Sequence, residues 1–454
     1  MHGWCASFSI LLLQGALPIM SNDKPMKKLH PNLFRHTAHL LAEVLVTHAP
    51  ADAKMQLFFR ENKQLGARDR GFIAETVYGC LRQRILLEHL CGQHPASPAL
   101  LIATYLLYKE GWSARALEDI GLEIIDDIPV RALVEHIRSM DVSALPLAIR
   151  SNLPEWLLQP LLATYGEAET MKLADALNHP ATLDIRVNTQ KMTREQVAAS
   201  LADEGFPAEP TPYSPVGLRR AKRGPLFQTK AFKSGWIEIQ DEGSQLLSYL
   251  LDAQPQLNTV DFCAGAGGKT LHIAALQQNS GSVYAFDVSE KRLAKFKPRL
   301  KRSGLDNIRP RVIRDENDIY IKRLRGRIDR VLVDAPCSGV GTLRRNPDIK
   351  WREINLDEIV ALQQRILAAA AQLLKPGGRL VYATCSLLAQ ENQQVVDHFL
   401  ANNPAFQLVP VNTVLQQQQI NLTMPTGVFQ LFPHVHQTDG FFAAVLERTT
   451  PPVT

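Results

Sequence analysis

Charge of one sign, closely spaced cysteines and long apolar runs are all scarce in this chain, and each scarcity removes a class of protein. Over 454 residues, 50 Lys and Arg stand against 45 Asp and Glu, a formal charge of +5. That excess permits a polyanionic partner without requiring one, so the placement of charge matters more than its sum. The six cysteines, Cys5, Cys80, Cys91, Cys263, Cys337 and Cys385, show no paired spacing. This excludes a zinc ribbon or disulfide scaffold and fits a reducing compartment. No stretch approaches the roughly 18 consecutive apolar residues of a membrane-crossing helix. The short apolar run at residues 10–13 has no Lys or Arg before it, is interrupted by Gln14 and Pro18, and meets no small-residue cleavage site. A signal peptide is therefore not expected. The expectation is a cytoplasmic monomer without metal or membrane contact. Its natural start is placed at Met20 or Met26, with residues 1–27 a disordered leader or misassigned extension. Internal repeats are absent, and the one low-complexity piece, residues 416–419, is expected in a loop.

What is present is enough apolar residue, 45% of the chain, to build more than one core over this length. From Pro31, the positions Leu33, Leu40, Leu41, Val44 and Leu45 share one helical face, and like patterns recur through residues 72–90 and 99–108. Residues 28–142 are thus expected to be all-helical. Within them Arg68, Arg70, Arg82 and Arg84 flank a helix carrying Phe72, Ile73, Val77 and Tyr78, and this spacing resembles the RNA-binding module typified by the antitermination factor NusB. After a connection marked by Pro146 and Pro154, residues 183–189 alternate with period two and read as a half-buried strand. Thr193 and Gln196 form a capping box for a short helix through Val197 and Leu201. Residues 143–236 are read as linker and small α+β RNA-binding domain. Its far edge mixes Arg219, Arg220, Lys222, Arg223, Lys230 and Lys233 with Tyr213, Phe227, Phe232 and Trp236, a composition suited to phosphate contact and base stacking, or to an anchored basic loop.

Residues 237–449 alternate strand and helix, with strands predicted at residues 259–262, 282–286, 330–333 and 379–384. Such alternation specifies a mostly parallel sheet covered on both faces, an α/β domain with its ligand beyond the carboxyl ends of the strands. The first strand runs into Asp261-Phe-Cys263-Ala-Gly265-Ala-Gly267-Gly268-Lys269-Thr270 and then an apolar helix. Glycines there let backbone amides approach a ligand. A nucleotide-triphosphate P-loop would need glycine where Cys263 stands, and a dinucleotide fingerprint would need glycine where Thr270 stands. S-adenosylmethionine is the third reading: Asp287, after the second strand, would meet its ribose, and Asp315 is placed for the adenine amino group. An ATPase stays open as an alternative, because Asp334 ends a strand that could imitate its magnesium-binding segment.

Neither an ATPase nor a dehydrogenase explains two cysteines at matching strand ends. One predicted strand runs into Asp334-Ala-Pro336-Cys337-Ser-Gly339, the other into Thr384-Cys385-Ser386 and a helix expected at residues 391–400. If the strands are neighbours, both thiols open into one crevice. Carbon 5 of cytosine becomes nucleophilic only after something adds to carbon 6, and a thiolate adds and later leaves. A free thiol has a pKa of about 8.5 and gains from a helix N-terminus, which the following helix is expected to give Cys385. Asp334 could hydrogen-bond the ring in the adduct, and the base must be unpaired or flipped.

Four motifs in order, residues 263–270, Asp334-Ala-Pro-Cys337, Thr384-Cys385-Ser386 and Asp439-Gly-Phe441-Phe442, together resemble the RsmB/Nop/Sun family of RNA cytosine-5 methyltransferases across residues 28–448. The resemblance implies a Rossmann-like class I methyltransferase domain preceded by the NusB-like helical domain and the small α+β RNA-binding domain. It implies Cys385 as nucleophile, Cys337 as the release residue and Asp334 as the base-recognising group. Cofactor contacts carry over to Cys263, Ala264, Gly265, Ala266, Gly267, Gly268, Lys269, Asp287, Asp315 and Asp334. It also implies S-adenosyl-L-methionine as cofactor and RNA as partner, ribosomal RNA first and tRNA as an alternative. One departure is that the family reads alanine-proline where this chain has Gly265-Ala266. Seven Lys or Arg in residues 291–302, and Arg344, Arg345, Lys350 and Arg352, are expected to touch phosphate. The competing class is an RNA-binding or antitermination-type factor with an inactive methyltransferase domain.

Overall fold

A computed structural model describes residues 30–47, 49–220 and 224–449; the expected leader with Met20 and Met26, and the basic pair Lys222 and Arg223, lie outside the described residues. Two compact units form. Of the described residues, one takes 30–42, 63–80 and 87–141, the other 43–62, 81–86 and those from 142 to 449. The first unit is helical apart from one short antiparallel pair, Ile124–Ile125 with Ile128–Pro129, where only helix was expected. Its core is the buried set Phe34, Leu40, Leu41, Ile73, Val77, Leu87, Leu90, Leu100 and Leu101, which lies on the helices Pro31–Leu45, Ala67–Cys91 and Pro98–Tyr108. Ser97 caps the last of these, accepting from Leu100 N, and Pro98 opens its first turn. Gly79 marks a close crossing: a Cβ there would fall 2.2 Å from the Tyr105 ring.

The second unit begins with a four-stranded antiparallel sheet, β1 (Leu183–Val187), β2 (Glu209–Pro210), β3 (Gly217–Arg220) and β4 (Ile237–Ile239), in the order β2-β3-β1-β4. The helix Arg194–Asp203 covers it, and the capping box forms as expected: Gln196 N donates to Thr193 Oγ1 at 3.2 Å and Thr193 N to Gln196 Oε1 at 2.9 Å. An eight-stranded sheet follows, with β5 (Asn258–Asp261), β6 (Ser282–Asp287), β7 (Ile308–Val312), β8 (Ile328–Asp334), β9 (Leu374–Thr384), β10 (Phe406–Val409), β11 (Phe429–Leu431) and β12 (Phe441–Arg448). Its order is β10-β12-β9-β8-β5-β6-β7, with β11 also paired to β12. Strands β5 to β9 are parallel, and β12 runs antiparallel to β9, β10 and β11. The four strands predicted from the sequence are β5, displaced by one residue toward the N-terminus, β6, longer by one, and β8 and β9, longer by three and five. The glutamine run 416–419, expected in a loop, starts inside the helix Val411–Gln417.

The two sheets share one core. Ile185, Val187, Leu218 and Ile237 of the small sheet belong to the same buried cluster as Ala285, Leu332, Val381 and Val445 of the large one. Each fully buried aliphatic side chain contributes roughly 1.5–3 kcal/mol, so the small sheet is held against the large one by packing. Tyr382, Val331, Leu367 and Phe399 fill the opposite face. Among the described residues no helix is long and apolar enough to cross a membrane.

Candidate active site

Strands β8 and β9 are parallel neighbours, with Asp334 beside Ala383 in register. The turns leaving them therefore start side by side. Ala335 N donates to Ala383 O at 2.8 Å, Gly341 N to Cys385 O at 2.9 Å, and Gly440 N to Gly341 O at 2.8 Å. A Cβ on Gly341 would lie 2.1 Å from Gly440 O and 2.8 Å from Cys385 O; glycine alone lets these three backbones meet. The outcome is a Cys337 Sγ to Cys385 Sγ distance of 3.4 Å, far from the roughly 2.05 Å of a disulfide, and both are free cysteines. The hydrogen bond to Cys385 and then burial push the Cys337 thiol well above its ordinary range. One expectation is corrected here. The helix after Cys385 begins at Gln393, beyond a short helical turn at Ala389–Glu391, so Cys385 does not stand at the N-terminus of that helix.

Lys269 Nζ lies 2.7 Å from Asp334 Oδ2. Burial works against its charge, but the charge and hydrogen bond of Asp334, with smaller contributions from Cys385 and Asp261, outweigh it and hold the ammonium above its usual range. Lys269 also sits 5.9 Å from the centroid of the Phe441 ring. Asp261, at the end of β5, is 1% exposed and is pushed up to about 7 by burial, although Thr270 Oγ1 donates to it at 2.6 Å.

A cavity of about 340 Å³ opens beyond the strand ends, within the size range of small-molecule sites. Of the expected cofactor positions, residues 263–266, Gly268, Lys269 and Asp334 line it. Gly267, at φ +80°, is instead pressed against the Phe296 ring. Asp287 does not line the cavity; its carboxylate accepts from Gly265 N at 2.8 Å and Ser289 N at 2.7 Å and pairs with Arg292 at 3.0 Å, fixing the glycine turn. Asp315 also stands off the cavity, accepting from Asn317 N at 2.8 Å and Arg314 Nε at 2.9 Å. Sequence reading missed Gln240 and Ser244, which line the cavity from the small-sheet side, and Arg299, which donates to Ala266 O at 2.7 Å and pairs with Glu238 at 2.9 Å.

Glu391 escaped the sequence reading. Wholly buried, it accepts from Ser338 N at 2.7 Å, Gln363 Nε2 at 3.1 Å, and the hydroxyls of Ser338 and Ser386. Arg345, expected at phosphate, instead reaches Asp439 Oδ2 at 2.6 Å, Asp241 Oδ2 at 2.8 Å and the Thr182 carbonyl at 3.0 Å, joining the approach to β1 to the corner before β12. The only hint of Glu391 in the sequence was its closeness to the second cysteine motif.

Several arginines and lysines expected at phosphate are turned inward. Arg344 donates to the carbonyls of Thr438 and Pro180. Lys350, 1% exposed, donates to the carbonyls of Arg82 and Asn152 and to Asn178 Oδ1, and Arg352 pairs with Asp348. Arg82 is buried with Nη2 on Arg344 O, and Arg84 lies over the Trp351 ring. At the small-sheet edge, Arg219 is held by Asp184 and Glu242, while Phe227 is 60% exposed. On the helix Glu290–Ser303, Arg292, Arg299 and Arg302 make ion pairs, leaving Lys291, Lys295, Lys297 and Lys301 exposed. Such carbonyl and carboxylate partners satisfy a buried cation that would otherwise cost several kcal/mol.

A parallel sheet with a glycine turn, acidic strand ends and a cavity against the first helix defines the class as a Rossmann-like transferase core. The comparisons make this specific. The family described as 16S rRNA methyltransferase RsmB/F matches residues 248–447, and the RsmF/B-like methyltransferase ferredoxin-like domain matches residues 153–226. A probable ribosomal RNA small subunit methyltransferase B of Synechocystis is 32% identical over 416 residues, 85% of this chain and 92% of that protein. The ribosomal RNA small subunit methyltransferase B of Klebsiella pneumoniae is 30% identical over 410 residues, 85% and 91% of the two chains. Among solved structures, PH0851 gives a TM-score of 0.75 at 27% identity, covering 93% of this chain and 100% of that one. A methyltransferase homolog from Pyrococcus horikoshii gives 0.57 at 29%, covering 68% and 100%. The chain belongs to the RsmB/F methyltransferase family, and nothing in that kinship supports nucleotide hydrolysis.

Proposed function

We propose that this protein transfers a methyl group from S-adenosylmethionine to carbon 5 of a cytosine in ribosomal RNA, through a covalent adduct with Cys385 that Cys337 helps to resolve. The observation that carries the reading is the pair of free thiols 3.4 Å apart, beside Asp334 and Lys269 at the rim of the cavity. The small-subunit ribosomal RNA named for the relatives supports the choice of substrate. Bound S-adenosylmethionine supplies an electrophilic methyl on a sulfonium. The cavity suits that molecule, which carries both an ammonium and a carboxylate: Asp261 and Asp334 stand on its wall with Lys269, Arg292 and Arg299. Gly265, at φ +56° with open space around its Cβ position, keeps the turn in a left-handed conformation that glycine adopts without strain. The turn at residues 263–269, held by Asp287, would bind the cofactor.

In this mechanism Cys385 Sγ loses its proton and bonds carbon 6, which makes carbon 5 nucleophilic toward the methyl. Loss of the carbon 5 proton to solvent then breaks the carbon 6–sulfur bond, restores the aromatic ring and frees Cys385 as a thiolate. Cys337, kept protonated before reaction by Cys385 and burial, gives its proton to the departing sulfur and regains one from solvent. Asp334, bound to Lys269, accepts a hydrogen bond from the cytosine amino group or from N3 when that nitrogen is protonated in the adduct.

Cys385→Ala is expected to abolish transfer, while Cys337→Ala accumulates a covalent RNA–protein species on denaturing gels. Adducts with the Cys385 variant instead would reverse the assignment. Bisulfite sequencing of RNA from cells lacking the gene is expected to lose a ribosomal RNA signal; loss confined to tRNA would displace the substrate. An inactive RNA-binding factor would bind RNA but leave S-adenosylhomocysteine unbound in calorimetry.

A further inference from the structure

We propose that Glu391 is a positioning residue of this site: one carboxylate grips the residue following each thiol and thereby sets the distance at which Cys337 and Cys385 face each other. The consequence for transfer rests on the two-thiol reading above, whereas the geometry does not.

Ser338 and Ser386 are the next residues after Cys337 and Cys385. Both donate their hydroxyls to Glu391 Oε2, and Ser338 adds its backbone N–H to Oε1 at 2.7 Å. The remaining donor, Gln363 Nε2, lies 3.1 Å from Oε1 and also bonds the carbonyl of Pro336 at 2.8 Å, so it steadies the Cys337 turn from its other side. Glu391 is itself fixed where its carbonyl accepts from Tyr382 OH at 2.7 Å, and Tyr382 belongs to β9, the strand that ends at the Cys385 turn. The adjacent Asn392 continues the grip, donating to Ser386 O at 3.0 Å while its side-chain oxygen accepts from Thr384 Oγ1.

No cation pairs with Glu391 among the described residues. A carboxylate at 0% exposure is costly to bury without a counter-charge and is tolerated where hydrogen-bond donors saturate it. Here the donors are Gln363 and the serines beside the two thiols. An ordinary structural carboxylate would tie two elements of the core. This one ties two turns that each carry a cysteine immediately before the serine it holds. The backbone bonds at Ala335 and Gly341 bring the turns together, and the carboxylate, by holding the residue after each thiol, sets the sulfurs at 3.4 Å.

The test reads thiol proximity without substrate. Treatment of the full-length protein with a diazene oxidant such as diamide removes one hydrogen from each thiol, forms the sulfur–sulfur bond and leaves the oxidant as its hydrazine. After quenching with N-ethylmaleimide, peptide mass mapping reports the Cys337–Cys385 pair. Glu391→Ala is expected to slow this cross-link on the order of tenfold and to lower kcat by a similar factor, with RNA KM and S-adenosylhomocysteine affinity within about twofold of wild type. Glu391→Gln, which keeps one acceptor oxygen and turns an amide toward the two hydroxyls, restores most of both. Should Glu391→Ala fail to fold, Ser386→Ala removes a single donor and is expected to shift the cross-link and kcat the same way by less. A folded Glu391→Ala protein that cross-links as fast as wild type overturns the proposal, as does a loss in which kcat, KM and melting temperature fall together without rescue by Gln. Slower cross-linking with unchanged transfer would uphold Glu391 as the positioning residue and refute the two-thiol chemistry instead.

Discussion

Replacing Arg345 with alanine isolates the contact that joins the small sheet to the catalytic corner, and the structure gives its cost a dependence on pH. Arg345 stands between Asp439 and Asp241, with side chains 3% and 7% exposed, and is itself 26% exposed. Breaking a buried pair by removing one partner costs about 3–5 kcal/mol, and the partial exposure of Arg345 puts this case near the low end, about 3 kcal/mol. Burial and the neighbouring Asp241 raise Asp439 to about 7, against the attraction of Arg345. An unfolded aspartate titrates near 3.9. Between those values the folded state holds a proton that the unfolded state has released, so stability falls as pH rises from about 4 through 7. Without Arg345 the folded value moves higher and the fall continues past 7. At pH 5 Asp439 is protonated in both proteins, and the variant loses the hydrogen bonds of Arg345 and its pair with Asp241, about 2 kcal/mol. At pH 8.5 the loss is expected to reach about 3 kcal/mol. Urea unfolding followed by circular dichroism at the two pH values measures the difference. Equal losses at both, or a smaller loss at pH 8.5, would refute the reasoning.

Gly341→Ala is expected to cost more than Gly265→Ala in melting temperature, because its Cβ would meet the backbone oxygens of Gly440 and Cys385 whereas Gly265 faces open space. Overpacking of that kind costs about 1–3 kcal/mol, against about 1 kcal/mol for a left-handed alanine; equal melting shifts would count against the close approach. Asp261→Asn is expected to flatten the stability of the protein between about pH 4 and 7. Burial raises Asp261 to about 7, so in wild type its proton is held on folding and stability declines through that window. Parallel pH profiles for the two proteins would show that Asp261 does not titrate so.

The parallel core was legible because its strands are buried on both faces and read as short apolar runs between turn residues. The two thiols were legible because each follows such a run directly. Glu391 was not: a glutamate at the start of an amphipathic segment looks like a helix-opening acid, and only the fold shows the serines turned toward it. Lys350 and Arg344 misled for a related reason. Beside a base-modifying motif a basic residue suggests phosphate, but their side chains reach backbone carbonyls that no local pattern reveals. Asp315 had the right spacing from β7, and the loop took its carboxylate for its own amides.

The strand β12 is the last of the sheet in sequence, yet Gly440 at its head meets Gly341, and Ala443 and Ala444 lie beside Ala383 and Tyr382 in the strand leading to Cys385. On a ribosome, where chains emerge in order, both thiols are synthesised well before the segment that closes their corner. The emerging chain therefore holds the Cys385 turn without its β12 neighbour until residues 438–448 have left the exit site, and the last strand of the sheet to be made is the one that closes the corner around the two sulfurs.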